Sequence, residues 1–338
     1  MNKTISASRR RWLAGAAAVL LGGTMSASAV LARDAAPFTG IPGTTVRFAS
    51  VDEGRRLISA LDDWTAATSE FQRAATLGTT PPVALDRFIA ALSATVLPWT
   101  DEERQPWQQA LGSLAGRFAE LKIPLPPEVL LVRTNGKDAA HAPYTRANAV
   151  FLPRDARLEG DSIPFVLAHE LFHVASRHQP GWASALYAAI GFRPVDALQW
   201  PAPWLPSRIA NPDAPLDRHA MSVTLPDGRK ADVMPLLVAR RTELQPGETF
   251  FDVMDVRLLE VEAAPGRPTT PVMRGGAPAW HAPRALPDYL RQLGGNTGYI
   301  IHPEETLADN VALLVTGRTV RNPALLTRIE ALLMQARP

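Results

Sequence analysis

Val166-Leu167-Ala168-His169-Glu170-Leu171-Phe172-His173-Val174-Ala175 is the stretch from which the rest of the chain can be read. Two histidines stand four apart, and a glutamate follows the first. On a helix, residues four apart share a face. His169 and His173 can therefore bind one cation from adjacent turns, with Glu170 in reach of a water on that cation. Glu170 is the sole charged residue from Pro164 to Ser176, as a buried helix requires. The spacing predicts a helix over about 163–178. Asp161 or Ser162 can cap it, Pro164 suits its first turn, and Gln179-Pro180-Gly181 stops it. The structural alternative is a buried helix with two hydrogen-bonded histidines.

Upstream, Val129-Leu130-Leu131-Val132 lies between Pro127 and Asn135-Gly136, which reads as a buried strand and a turn. Asn148-Ala149-Val150-Phe151-Leu152 reads as a second strand, ended by Pro153. Earlier still, Leu57, Leu61, Trp64, Ala67 and Phe71 recur at helical spacing, predicting one helix from Asp52 to about Ala75. Pro81-Pro82 break it. A second helix is expected over about 83–96, and a third from Thr100, whose acids Asp101, Glu102 and Glu103 suit a first turn, to before Pro124. One short strand is expected near 46–49. No catalytic constellation occurs in this part.

A catalytic zinc has three protein ligands and an open position, so a third donor is needed. Five residues past His173, His178 is turned roughly 140° away on a helix and is a poor candidate. A better one lies in Tyr299-Ile300-Ile301-His302-Pro303-Glu304-Glu305-Thr306-Leu307-Ala308-Asp309-Asn310. Pro303 suits a helix start, and Glu305 and Asp309 stand four apart. Glu305 would bind the metal, and Asp309 would accept from the far nitrogen of a ligand histidine. Glu304 is the weaker alternative, because Ala308, four residues on, has no acceptor.

At His169, Glu170, His173, Glu305 and Asp309 the chain resembles the gluzincin group of zinc peptidases, which includes the thermolysin-like enzymes. The resemblance covers about 40 residues in two pieces. The 131 residues between His173 and Glu305 exceed the spacing of thermolysin-like enzymes, so an insertion is expected. The resemblance implies Zn2+ held by His169, His173 and Glu305, Glu170 as catalytic base, Asp309 as the support of a ligand histidine, and a peptide or protein substrate. It also implies that the strand at 148–152 is the edge along which an extended substrate lies. Tyr299, His302, Tyr144 and Arg146 are candidates to steady a developing oxyanion. The fold class expected is α+β and zincin-like: a small mixed sheet on the HExxH helix, helical N- and C-terminal parts, and a β-containing insertion. Two alternatives stand beside the peptidase: hydrolysis of a non-peptide amide or ester of the cell envelope, and a non-catalytic zinc-stabilised binding protein. The last has no need of a base at position 170 and would prefer four protein ligands.

The expected organisation is a signal peptide over 1–32, a helical region over 33–125 and a catalytic region over 126–338. Within the last, a Pro- and Trp-rich insertion at about 180–290 carries strands near 231–240 and 250–262, and two helices follow, from Pro303 and from Asn322-Pro323. Arg9-Arg10-Arg11 before an apolar stretch resembles a twin-arginine export motif, with cleavage expected near Ala29 or Ala32. Export to the periplasm or beyond follows, with no stable membrane insertion of the mature chain. Without residues 1–32 the chain has 31 Lys and Arg against 33 Asp and Glu, so no basic excess argues for nucleic acid. The absence of cysteine excludes disulfides, thiolate ligands and a cysteine nucleophile.

Overall fold

The apolar run at 129–132 lies in a strand whose alternate residues face two different cores, and the layering follows from this. A computed structural model describes residues 36–80, 82–155 and 162–335. Strands β1 (Phe38–Ile41), β2 (Thr44–Phe48), β3 (Val96–Leu97), β4 (Glu128–Thr134), β5 (Tyr144–Arg146) and β6 (Ala149–Pro153) form one mixed sheet. Its order is β1-β2-β4-β6-β5, with β3 pairing with one end of β4. β2, β4 and β6 run parallel. β1, β3 and β5 each pair antiparallel. Val129, Leu131, Val150 and Leu152 face one core, and Leu130, Val132, Ala149 and Phe151 the other. A strand covered on both sides reads as an unbroken apolar run rather than an alternation.

Helices cover both faces. On one side lie α1 (Val51–Ile58), α2 (Asp63–Ala67), α3 (Glu70–Thr76) and α4 (Leu85–Ser93), from which Ile58, Trp64, Phe88 and Leu92 pack beneath Phe151. On the other lie α5 (Asp101–Glu120) and α6 (Ser162–His178), followed by α7 (Pro180–Tyr187). Gly54 permits the close approach of α1. A Cβ there would lie 2.8 Å from Val132 Cγ1 and from Val96 Cγ1.

The single helix expected over 52–75 is three. Asp62 and Thr65 form a capping box that starts α2, and Ser69 caps α3 by accepting from the Gln72 N–H. Local side-chain acceptors thus satisfy helix-start donors at two internal points and break the helical run. Leu61, counted in the apolar stripe, is 74% exposed in the connection.

The Pro-rich stretch forms a second, antiparallel sheet. Its strands are β7 (Phe192–Pro194), β8 (His219–Thr224), β9 (Lys230–Ala239), β10 (Met254–Glu262) and β11 (Thr270–Pro271), in the order β11-β10-β9-β8-β7, and the two-residue strand Trp280–His281 also pairs with β10. Residues 250–253, expected as strand, form the short helix α8 (Phe250–Val253). One face of this sheet, with Met221, Val223, Val233 and Leu258, joins the main core. The other, with Met234, Leu236 and Leu259, packs against Trp200, Trp204 and Trp280. Helix α9 (Pro287–Gln292) leads to α10 (Pro303–Val315) and α11 (Pro323–Gln335), and α10 lies along α6.

The expected export segment and its cleavage points, and Asp161 as a cap, lie outside the described residues. Among the described residues, no helix is long and apolar enough to cross a membrane.

Candidate metal centre

The centre sits where α6 and α10 pack together. Residues from Leu167 to Ser176 of α6 are all buried, so the motif faces protein on every side. Helix α10 begins at Pro303, with His302 as N-cap: its side chain accepts from the Glu304 N–H at 3.1 Å. That start brings Glu304, Glu305 and, one turn on, Asp309 against the two histidines.

His169, His173 and Glu305 each offer one ligand atom, all within 4.8 Å of one another. Glu305 Oε2 lies 3.2 Å from His169 Nε2 and 3.6 Å from His173 Nε2. Donors of a tetrahedral zinc site with bonds of about 2.0–2.1 Å stand about 3.3–3.4 Å apart, so this spacing fits such an ion. The other nitrogens are taken by carboxylates. His169 Nδ1 is 2.9 Å from Asp309 Oδ1, and His173 Nδ1 is 2.7 Å from Glu304 Oε1. Both imidazoles are thereby turned to present Nε2 to the common point. Thr297 donates its hydroxyl to Asp309. Ser176 and Tyr187 donate theirs to Glu304.

The residues fit a bound cation on a further ground. His173 Nε2 and Glu170 Oε2 are fully buried with no hydrogen-bond partner. Buried polar atoms are rarely left so, and a metal with its water would satisfy both. The donor set of two imidazoles and a carboxylate suits zinc among several divalent ions and does not select one.

The charged groups of this pocket act strongly on one another. Burial opposes a charged His169, but hydrogen bonds to Asp309 and Glu305 outweigh it and hold its pKa up to about 9. Burial likewise opposes charge on His173, yet Asp213, Glu305 and Glu304 raise it well above the ordinary value. Burial, with the nearby Asp213 carboxylate, pushes Glu170 up to about 7, against the pull of the two histidines. Glu305 is held well below the usual range, the histidines overcoming its burial.

A strap from Arg208 to Asp213 walls this pocket. Asn211 Nδ2 donates to Glu305 Oε1 at 2.5 Å. Asp213 Oδ1 accepts from the Thr145 N–H and hydroxyl, both at 2.7 Å. The Asp213 carboxylate also forms a group within 4.8 Å with Glu170 and His173. The strap further lines an apolar cleft with Trp64, Tyr144, Leu237, Phe250 and Met254.

Among the sequence-derived candidates, His169, Glu170, His173, Glu305 and Asp309 come together. The strand at 148–152 is not the sheet edge: β6 lies between β4 and β5, so Tyr144–Arg146 forms the edge. A tight turn adds β5 outside β6, which an apolar run cannot reveal. Tyr144 is buried and stacks on Phe151 at 4.8 Å. Arg146 is buried too, bonded to Ile58 O and Asp62. Neither faces the centre. The Tyr299 ring lies 6.0 Å from the His169 ring, at the rim. His302 serves as the cap of α10, and His178 ends α6. Sequence reasoning weighed Glu304 only as a ligand and missed its bond to His173. It also missed Asn211 and Asp213, whose only signal was an Asn-Pro-Asp turn in a proline-rich region.

Compared with known protein families, curated proteins and solved structures, the chain matches none.

Proposed function

We propose that this chain is a zinc-dependent hydrolase of gluzincin type, cleaving peptide bonds outside the cytoplasm with Glu170 as general base. The observation that carries the reading is that Glu170 Oε2 and His173 Nε2 are both buried without a hydrogen-bond partner, in a pocket where His169, His173 and Glu305 converge. A zinc ion held by His169, His173 and Glu305 would polarise a substrate carbonyl and lower the pKa of a bound water to about 7. Glu170, whose buried Oε2 has no hydrogen-bond partner, would take a proton from the attacking water and pass it to the leaving amine. Asp309 and Glu304 keep the histidine rings in place while this occurs. A base at position 170 favours catalysis over a purely structural metal. The mixed sheet beneath α6, with its antiparallel edge strand, supports a zincin-like assignment. The basic-then-apolar segment over 1–32 supports export.

One observation favours a second substrate class, a non-peptide amide or ester of the cell envelope. The outward main-chain donor of the edge strand, the Thr145 N–H, is bonded to Asp213 rather than free for a substrate backbone.

Metal analysis of purified protein, with hydrolysis of a quenched peptide library, tests the reading. One zinc per chain in both wild type and Glu170→Gln, with turnover in wild type alone, is the expected result. Bound zinc without peptide turnover in either would shift the reading to the non-peptide class, and absence of metal from both would sink the site.

A further inference from the structure

The strap from Arg208 to Asp213 is fastened as a wall. Gln72 clamps Ala210 with two 2.8 Å bonds, its amide donating to the carbonyl and accepting from the N–H. Trp64 Nε1 also donates to Ala210 O at 3.2 Å, and Ser69 to Arg208 O at 2.9 Å. The Ile209 N–H donates to Leu237 O at 3.1 Å, tying the strap to β9. The anchors come from helices α2 and α3, from the Ser69 cap of α3 and from strand β9, so the segment is held firmly beside the metal centre. An extended chain cannot run past it along β5, because Asp213 holds the Thr145 N–H and Arg177 braces the same threonine hydroxyl at 3.0 Å.

A substrate whose reacting carbonyl lay beside this fixed segment could extend only a short way past it, so one of its termini would lie there. The α-nitrogen of an amino-terminal residue lies only two bonds from its own carbonyl carbon. It would therefore fall within a few ångströms of the group that attacks that carbon. Asp213 stands at such a place: it is 9% exposed, and its carboxylate groups within 4.8 Å with His173 and with Glu170, whose Oε2 is buried and unpartnered. A carboxylate there repels a substrate carbonyl oxygen or carboxylate and attracts an ammonium. We propose that Asp213 receives the free α-ammonium of the substrate, and that the enzyme removes residues from the amino terminus of peptides rather than cutting within them. This rests on the hydrolase reading above and narrows its substrate class.

The test compares leucine p-nitroanilide with N-acetyl-leucine p-nitroanilide and an amino-blocked quenched peptide, using zinc-loaded full-length protein. The free amine should be cleaved with kcat/KM about 10- to 100-fold higher, the range of a charged hydrogen bond. Asp213→Asn should remove that preference, mainly through KM, and this comparison is read against a wild-type preference that requires no variant to fold. Calorimetry on zinc-loaded Glu170→Gln provides a readout independent of turnover: Leu-Gly-Gly should bind and its N-acetyl form should not. Equal handling of free and blocked substrates would overturn the proposal. So would faster cleavage of blocked peptides by Asp213→Asn, which would make the strap an inhibitory plug. Zinc uptake with neither turnover nor discrimination in binding would refute this inference but leave the metal site standing. No zinc and no turnover would remove the hydrolase reading itself.

Discussion

Glu304 and Glu305 are neighbours on one helix and meet different atoms of the same site. Side chains about 100° apart on α10 both reach α6 because the two helices lie side by side, so one carboxylate faces the common point and the other the far nitrogen of His173. Glu304→Gln should keep the fold and weaken metal binding about 10- to 100-fold, as loss of an outer carboxylate does, measured by competition with a chelator. Zinc uptake should also release protons. In the metal-free pocket His169 has its pKa raised from 6.5 to about 9, so its ion pairs stabilise the metal-free fold fully below pH 6.5 and lose that effect as pH rises through about 9. A cation must displace that proton and the one held by His173, so affinity should rise with pH. Calorimetry in buffers of different ionisation enthalpy will read the protons released; none released at pH 7 would contradict the assignment.

At the scale of elements, approach distances outweigh propensity. Alanine is favoured over glycine in a helix by about 1 kcal/mol. Gly54→Ala should nevertheless destabilise the protein, by about 1–3 kcal/mol, because its new methyl meets Val132 and Val96 at 2.8 Å and both belong to strands. Urea unfolding will show the sign, and a gain in stability would mean that α1 can slide on the sheet. The same logic explains which elements were legible. α5, α10 and α11 were read within a few residues because caps, prolines and periodicity agree there. The helix run over 52–75 was misread because Asp62 and Ser69 act as caps inside an unbroken apolar period. Strand β5 was missed because Tyr144-Thr145-Arg146 mixes an aromatic, a hydroxyl and a charge, and its burial comes from Asp62, Asp213 and the α2 region rather than from its own apolarity.

For the whole molecule, the centre is a cross-link between distant parts of the chain. His169 and His173 come from the first sheet's helical layer, and Glu305 arrives after the entire second sheet. An ion bound there should stabilise the folded state by mass action, about 2.7 kcal/mol at a free concentration 100 times Kd. The melting temperature should rise with added zinc and fall with a chelator, and Glu305→Gln should abolish the rise; a shift that persists in that variant would place the ion elsewhere.

The sequence by itself determined the HExxH helix, the later helix with its Glu-x-x-x-Asp spacing, and the pairing of Asp309 with a ligand histidine as an expectation. These are local properties, since four-residue spacing sets a helix face before any tertiary contact exists. The tertiary structure alone decided that Glu304 supports His173, that β5 rather than β6 is the sheet edge, and that Asn211 and Asp213 wall the pocket. Each depends on which segments, far apart in the chain, are packed together, and an isolated stretch of sequence carries no record of its neighbours in space.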